Sequence, residues 1–140
     1  MSKIQVTFDK GIKINGHKTT PHHDGNNGRH VYIADGLVLK IDDRGYSHDD
    51  MGLWKSVKRA DRKYFVPTLA QGVTDEGKRW SIQPYVELEM DFHVTPEANE
   101  IVERLYYRYG LTDIDFGDEE PRNWALHNGQ PIIFDYGLGL

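Results

Sequence analysis

Cysteine is absent from the 140 residues of this chain. Its absence excludes disulfide bonds, thiolate zinc sites and cysteine nucleophiles, and it makes a reducing cytoplasm the compartment that we expect. Long apolar runs are absent too. None approaches the roughly 20 residues that a helix needs to span a bilayer, and residues 1–5 lack the apolar segment of a signal peptide. We therefore expect a soluble cytoplasmic protein with no membrane partner.

Basic residues are outnumbered. The chain has 17 lysine and arginine residues against 22 aspartate and glutamate residues, which gives a formal net charge of −5. Proteins that coat nucleic acids need clustered lysine and arginine to neutralise phosphates, so we expect no nucleic-acid partner. A chain of this length is long enough for one domain with a buried core, and we predict a single domain.

Histidine and aspartate residues come close together in the sequence at His22, His23, Asp24 and His30. Zinc requires three or four ligands whose orientation is fixed by further hydrogen bonds. The glycine- and asparagine-rich residues between them offer few such contacts. We therefore interpret this cluster as part of a loop and do not predict a structural metal there.

The N-terminal part of the sequence predicts strands. Apolar residues alternate with polar ones over residues 3–9, which predicts a short strand. Residues 10–29 are polar and punctuated by glycine, and they predict a long loop with one more short strand. Residues 30–41 contain two β-branched runs on either side of Asp35-Gly36, which is a strong signal for a hairpin.

Two helices are predicted from apolar residues at helical spacing. The first covers residues 47–64 and has Ser47 as its N-cap. The second begins at Thr95-Pro96 and ends before Gly110. The predicted apolar faces consist of Leu53, Trp54, Val57, Ala60 and Tyr64 in the first helix, and of Ala98, Ile101, Val102, Leu105 and Tyr109 in the second.

The remaining strands set the fold class. Residues 66–73 and 80–86 predict two strands, and residues 124–134 predict a hairpin that turns at Asn128-Gly129. Consecutive strands joined by tight turns run antiparallel. The order strands, helix, strands, helix, hairpin therefore predicts an α+β fold with a largely antiparallel sheet.

The last quarter of the chain carries a pattern of carboxylate and amide residues. Asn123 follows Asp118 by five residues, and Asp135 follows the apolar second strand of the last hairpin, in Asp135-Tyr136-Gly137. ATP-dependent phosphotransferases use one carboxylate to orient or deprotonate a hydroxyl, and an amide and a second carboxylate to hold magnesium. Because Asn123 and Asp135 flank one hairpin, we expect these groups to converge.

The base in this pattern has two alternatives. Residues 111–116 suit a strand that enters the catalytic loop, so Asp113 or Asp115 could take the role that we assign to Asp118. We prefer Asp118 because it needs no insertion before Asn123. Each residue also has a purely structural interpretation, since an acidic run is typical of a solvated loop and an aspartate before glycine often forms a turn.

These residues together resemble the protein-kinase-like fold, and in particular its aminoglycoside and small-metabolite phosphotransferase branch. In that family a lysine lies on an apolar hairpin strand, as Lys40 does here, and a helix and a strand pair leading to a hinge come next. The loop Asp-x-x-Pro-x-Asn of the metabolite kinases matches residues 118–123. The family's Asp-Phe-Gly matches residues 135–137. The resemblance begins near residue 30.

The resemblance implies a minimal kinase-like fold. Residues 1–86 would form an N-lobe, with an antiparallel sheet, a helix and the hinge. Residues 87–140 would form a truncated C-lobe, with one main helix and a catalytic β-hairpin.

The resemblance also implies ATP and Mg²⁺ as cofactors. Lys40 would contact the nucleotide phosphates, Asp118 would act on the acceptor hydroxyl, and Asn123 with Asp135 would hold magnesium. The expected reaction is transfer of the γ-phosphoryl group to a hydroxyl of a small molecule or a protein.

The alternative is a catalytically inactive pseudokinase that serves as a protein-binding or inhibitory module. The chain ends three residues after Gly137, which leaves a short C-lobe, and it has no glutamate before Glu76. The family pairs its strand lysine with a glutamate of the first helix, and Asp49 or Asp50 would be a shorter substitute. A metal-dependent hydrolase built on the acidic run ranks last, because histidine ligands are missing nearby.

A small single-domain form of this fold looks similar to uncharacterised kinase-like proteins of bacteriophages. A phage origin is therefore expected by resemblance, with the host cytoplasm as the location and a host protein as a possible partner.

Overall fold

The chain divides into two compact units in a computed structural model. Unit 1 comprises Met1–Ser47 and Thr68–Tyr85, and unit 2 comprises His48–Pro67 and Val86–Leu140. The segment 48–67, which the sequence analysis placed in the N-lobe, thus groups with unit 2. That all 140 residues form one kinase-like domain stays a prediction. The structure describes residues 3–24, 29–42, 50–89, 93–111 and 124–134, and of residues 22–24, 29 and 50 it describes the backbone alone.

Unit 1 contains a five-stranded antiparallel sheet in the order β4-β5-β6-β8-β7. The strands are β4 (Thr20–Asp24), β5 (Arg29–Ala34), β6 (Leu37–Asp42), β7 (Ala70–Val73) and β8 (Arg79–Pro84). The hairpin predicted at Asp35-Gly36 is confirmed, because it joins β5 to β6 and both turn residues have positive φ, 54° and 70°. β6 is the central strand.

The prediction of a long loop over residues 10–29 was wrong, although the one short strand predicted within it, at residues 12–14, is confirmed at Lys13–Ile14. This region contains β4 and two shorter strands, β2 (Lys13–Ile14) and β3 (His17–Lys18), which form a small sheet with β1 (Val6–Thr7). The cause is a second two-residue turn at Asn15-Gly16, with φ of 51° and 81°. Asn15 fixes the turn further, since its Oδ1 accepts a hydrogen bond of 2.9 Å from the Gln5 backbone N–H.

The core of unit 1 lies on one face of the five-stranded sheet. Side chains alternate along each strand, and on β6 the buried apolar residues are Leu39 and Ile41. Ile82 of β8 lies directly across from Leu39. Ile14 of β2 belongs to the same buried cluster, so the small sheet contributes to this core. The other face of the five-stranded sheet carries polar residues together with apolar ones such as Val31 and Val38.

Unit 2 begins with two short helices where the sequence predicted one. Helix α1 covers Asp50–Ser56, and a 3₁₀ helix covers Arg59–Tyr64. Lys58 between them is extended, with φ −63° and ψ 145°. Its N–H donates to the Tyr109 hydroxyl at 2.9 Å instead of continuing the helix. The predicted N-cap Ser47 lies outside the described residues, and Ala60, predicted on the apolar face, is exposed.

The second predicted helix is confirmed as α2, Pro96–Tyr109. The Thr95 side chain accepts a hydrogen bond of 3.1 Å from the Ala98 N–H, and Gly110 ends the helix in the left-handed conformation. The predicted apolar face is also confirmed. Ala98, Val102 and Leu105 are buried and Ile101 and Tyr109 are partly buried in the core of unit 2.

The last predicted hairpin is confirmed as β9 (Trp124–His127) and β10 (Gln130–Ile133), which run antiparallel around the Asn128-Gly129 turn. Trp124 and Ile133 are both fully buried and lie directly across from each other. With three sheets of antiparallel strands and with helices that alternate with the strands along the chain, the described residues form an α+β fold. None of the helices in the described part of the chain combines the length and apolar character that crossing a bilayer requires.

Candidate functional site

Lys40 is the one predicted site residue that lies among the described residues. It occupies the middle of β6, with Val31 of β5 on one side and Ser81 of β8 on the other. Strands hydrogen-bonded on both sides hold their backbone firmly, so the position of the Lys40 Cα is fixed by two neighbours. The side chain is partly buried, and it lies on the sheet face opposite the apolar core of unit 1.

Three further polar side chains on this face are buried. Asp42 is two residues along β6, and Ser81 and Gln83 lie on β8, across from Lys40 and Val38. Their exposed fractions are 5%, 7% and 3%. We call Lys40, Asp42, Ser81 and Gln83 the polar face of unit 1. On these neighbouring strands the Lys40 ammonium, the Ser81 hydroxyl and the Gln83 amide can donate hydrogen bonds, whereas the Asp42 carboxylate can only accept them.

Lys40 was predicted from the sequence as a site residue, whereas its polar neighbours on this face were not. The signal was present in the alternation of Ser81 and Gln83 with Trp80 and Ile82, a period of two that is typical of strands. What the sequence did not show is that β8 pairs with β6, because about 40 residues separate the two strands and loop closure over such a length has no local signature.

The other predicted site residues lie outside the described residues. They are Asp118, Asn123 and Asp135, together with the alternatives Asp113 and Asp115. The structure does describe Trp124, which follows Asn123, and Ile133, which lies two residues before Asp135. Trp124 and Ile133 are paired across the β9–β10 hairpin and both are fully buried. The chain therefore enters and leaves this hairpin at the same end. The first residue of β9 and the last residue of β10 are both anchored there in the core of unit 2.

A metal site in the described part of the chain would need several histidine, aspartate or glutamate side chains close together. In this part of the chain, no group of three or more histidine, aspartate or glutamate residues is arranged to hold a metal ion. The side chains of His22, His23 and Asp24 are not among those described, and His30 is partly buried on β5.

A buried polar cluster in unit 2 was not predicted from the sequence. Asp61 of the 3₁₀ helix is only 4% exposed. Its Oδ2 accepts a hydrogen bond of 2.6 Å from the Tyr109 hydroxyl and one of 2.8 Å from Arg108 Nη1. Burial acts to raise the pKa of Asp61, but the hydrogen bonds from Tyr109 and Arg108 outweigh it and the pKa lies below its ordinary value.

The pKa values of the two partners of Asp61 are shifted upwards. Burial, followed by the hydrogen bond to Asp61, raises the pKa of the Tyr109 hydroxyl. The hydrogen bond to Asp61 also raises the pKa of Arg108. All three groups therefore keep their ordinary charge states at neutral pH. A carboxylate held in this way connects the 3₁₀ helix to the end of α2, and we assign the cluster a structural role.

Comparison with known proteins adds no family to these observations. A scan against protein-family models and a search of curated proteins found no match to this chain.

Proposed function

We propose that this protein is an ATP- and Mg²⁺-dependent phosphotransferase of the kinase-like type. The observation that supports the proposal most is the place of Lys40, on the central strand of an antiparallel sheet and on its polar face. Kinases of this type hold the nucleotide phosphates with a lysine on a sheet strand. The strand pair β7–β8 after α1 rejoins the sheet beside β6, in the element order that the resemblance implies.

The residues proposed for the chemistry are those of the sequence pattern. Asn123 and Asp135 offer the oxygen ligands that Mg²⁺ prefers. Bound there, the metal would neutralise charge that develops on the phosphates. The adjoining hairpin residues Trp124 and Ile133, paired and fully buried, supply a rigid frame for such ligands.

In the proposed reaction the acceptor hydroxyl attacks the γ-phosphorus of ATP. The bond from that phosphorus to the bridging oxygen breaks and ADP leaves with its electron pair, while Asp118 accepts the proton of the hydroxyl. Lys40 would offset negative charge on the phosphates through its ammonium group.

The alternative is a pseudokinase that binds nucleotide or a partner protein without transferring phosphate. One observation favours it: α1, Asp50–Ser56, contains no glutamate. Kinases need an ion pair between the strand lysine and a helix glutamate for full activity. The enzyme requires both nucleotide binding and turnover, whereas the pseudokinase is a protein-binding or inhibitory module without turnover.

A thermal-shift measurement with Mg-ATP tests nucleotide binding. A ligand at 100 times its Kd should stabilise the protein by about 2.7 kcal/mol. We expect the melting temperature to rise for the wild type and not for Lys40→Met, which keeps the alkyl chain but removes the charge. Lys13→Met, at an exposed lysine on β2, is the matched control and should keep the shift. No shift in the wild type would contradict the ATP site and the enzyme, and would leave a pseudokinase that binds a partner protein.

Transfer of a radiolabelled γ-phosphate then separates the enzyme from the pseudokinase. For the enzyme, transfer or ATP hydrolysis should occur and should vanish in Asp118→Ala and in Asp135→Ala. Transfer that survives Asp118→Ala but not Asp113→Ala or Asp115→Ala would reassign the base. Nucleotide binding without any turnover would favour the pseudokinase.

A further inference from the structure

Positive charge is concentrated in one short segment of this acidic protein. Residues 55–63 contain five basic side chains and one acidic side chain, for a net charge of +4. The other 12 basic and 21 acidic residues of the chain give −9. A segregation of this size within nine consecutive residues creates a local positive potential that the net charge of −5 conceals.

All five basic residues of the segment are exposed. They are Lys55 at the end of α1, Lys58 in the extended linker, and Arg59, Arg62 and Lys63 in the 3₁₀ helix. The one carboxylate of the segment, Asp61, points the other way and is 4% exposed. The fold therefore turns the negative charge inward and the positive charges outward.

Helix α2 extends the same positive region. Arg108 reaches Asp61 with its Nη1 at 2.8 Å while 42% of its side chain stays exposed. Arg104, one turn earlier on α2, is exposed and lowers the pKa of Asp61 through its charge. We call Lys55, Lys58, Arg59, Arg62, Lys63, Arg104 and Arg108 the basic surface of unit 2. Asp61 lies beneath it, already bound to Tyr109 and Arg108.

Two side chains of the basic surface are held in place by aromatic rings. The Arg62 guanidinium carbon lies 4.9 Å from the centroid of a Trp54 ring, and its Nε donates to the Val57 carbonyl at 3.2 Å. The Lys63 ammonium lies 5.1 Å from the centroid of the Tyr64 ring. Cation–π contacts of this kind restrict the rotamers of long side chains. Less conformational entropy is then lost when these cations meet a partner.

We propose that the basic surface of unit 2 docks an acidic peptide segment of a partner protein. The part of this surface that lies on the 3₁₀ helix is short, because six residues of such a helix are about 12 Å long, and it matches a few consecutive aspartate or glutamate side chains. Duplex nucleic acid carries one charge per about 1.7 Å and continues well beyond such a surface. A long polyanion would then also meet the field of a chain whose remaining residues sum to −9. Charge complementarity therefore favours a compact acidic peptide.

Fluorescence anisotropy with a labelled Asp/Glu peptide of about ten residues tests this docking. The variant is Lys55→Gln/Lys58→Gln/Arg59→Gln, which leaves the Arg62–Trp54 and Lys63–Tyr64 contacts and the Asp61 cluster intact. The matched control is Lys3→Gln/Lys13→Gln/Lys18→Gln, which removes three exposed charges from unit 1. We expect a loss of affinity of about tenfold or more in the first variant and little change in the second. Circular dichroism of both variants should match the wild type.

Two outcomes would overturn the proposal. Equal affinity of the two triple variants for the peptide would show that binding follows net charge and not the basic surface. Tighter binding of a single- or double-stranded oligonucleotide of the same total charge would make nucleic acid the partner class. Because Lys40 belongs to neither variant, a failure of the nucleotide experiments leaves this result unaffected.

Discussion

At the scale of single residues, Asp61 is the position where the sequence is most misleading. It lies among five basic residues, a setting that suggests an exposed ion-pair partner, yet it is buried and bound to Tyr109 and Arg108. A buried carboxylate is tolerated only when hydrogen bonds replace its water. Asp61 therefore depends on α2, and α2 holds the 3₁₀ helix through it.

Asp61→Asn should lower the free energy of unfolding by about 1–3 kcal/mol, because it weakens two hydrogen bonds to a charged acceptor. Tyr109→Phe should also destabilise, and in the double variant the two losses should be less than additive. Urea denaturation gives all three values. Tyr85→Phe, at a half-exposed tyrosine of unit 1, is the control and should cost little. Strictly additive losses would contradict the direct Tyr109–Asp61 bond.

The effect of Asp61→Asn should also depend on pH. The pKa of Asp61 is lower in the folded protein than in the unfolded chain, where the pKa of aspartate is about 3.9. Its contribution to stability is therefore full above the unfolded pKa and is lost as pH falls through the folded pKa. The difference between wild type and variant should shrink in denaturation curves recorded below about pH 4. A difference that stays constant down to pH 2 would count against this assignment.

Gly72 is the second residue with a specific steric role. A Cβ atom added there would lie 2.6 Å from Cε2 of Trp80, which lies directly across on β8. Gly72→Ala should destabilise the protein by about 1–3 kcal/mol, since the indole must leave its place against the core of unit 1. In a Trp80→Ala background the same change should cost much less. An equal cost in both backgrounds would assign the effect to the strand backbone instead.

At the scale of elements, the caps and two-residue turns follow local rules and the 3₁₀ helix does not. Asp35-Gly36 and Asn128-Gly129 adopt the positive φ values that their residue types favour, and both hairpins form where predicted. The helix predicted over residues 47–64 instead breaks at Lys58, whose N–H donates to Tyr109, 51 positions later in the chain. Helical spacing of apolar residues carries no information about such a bond.

The N-cap of α2 gives a prediction at this scale. Thr95→Ala should lower the free energy of unfolding by about 0.5–2 kcal/mol, because the Ala98 N–H loses its acceptor. Thr95→Ser keeps the hydroxyl and should remain within a few tenths of the wild type. Thermal denaturation followed by circular dichroism measures both. If serine were as destabilising as alanine, the Thr95 methyl group and not the cap would be responsible.

At the scale of the whole molecule, stability should be unequal between the two sheets of unit 1. β6 is hydrogen-bonded on both sides, and both Leu39 at its centre and Ile82 across from it on β8 are fully buried. The strands β1, β2 and β3 have two residues each. Backbone amides of β6 and β8 should therefore exchange with deuterium far more slowly than those of β1–β3. Equal protection in the two sheets would show that they open as one unit.

The proposed function also belongs to this scale. Of the four residues in the predicted constellation, Lys40 is described, on the polar face of unit 1, and its neighbours Ser81 and Gln83 arrive there from a strand about 40 residues later in the chain. The resemblance predicted the lysine, and the sequence spacing predicted the carboxylate–amide pattern. It did not find the side chains that surround the lysine, because strand pairing at long separation depends on the core and not on local preference.

The turns at Asp35-Gly36 and Asn128-Gly129, the ends of α2 and the α+β class could be predicted from the amino-acid sequence alone. Each of these follows from backbone preferences and side-chain periodicity within a few residues. Three features depend on tertiary contacts and could not be predicted: the helix stops at Lys58, Asp61 is buried, and residues 48–67 group with unit 2. The contacts responsible join the 3₁₀ helix to α2, and hydrogen bonds between residues about 50 positions apart leave no pattern in either segment alone.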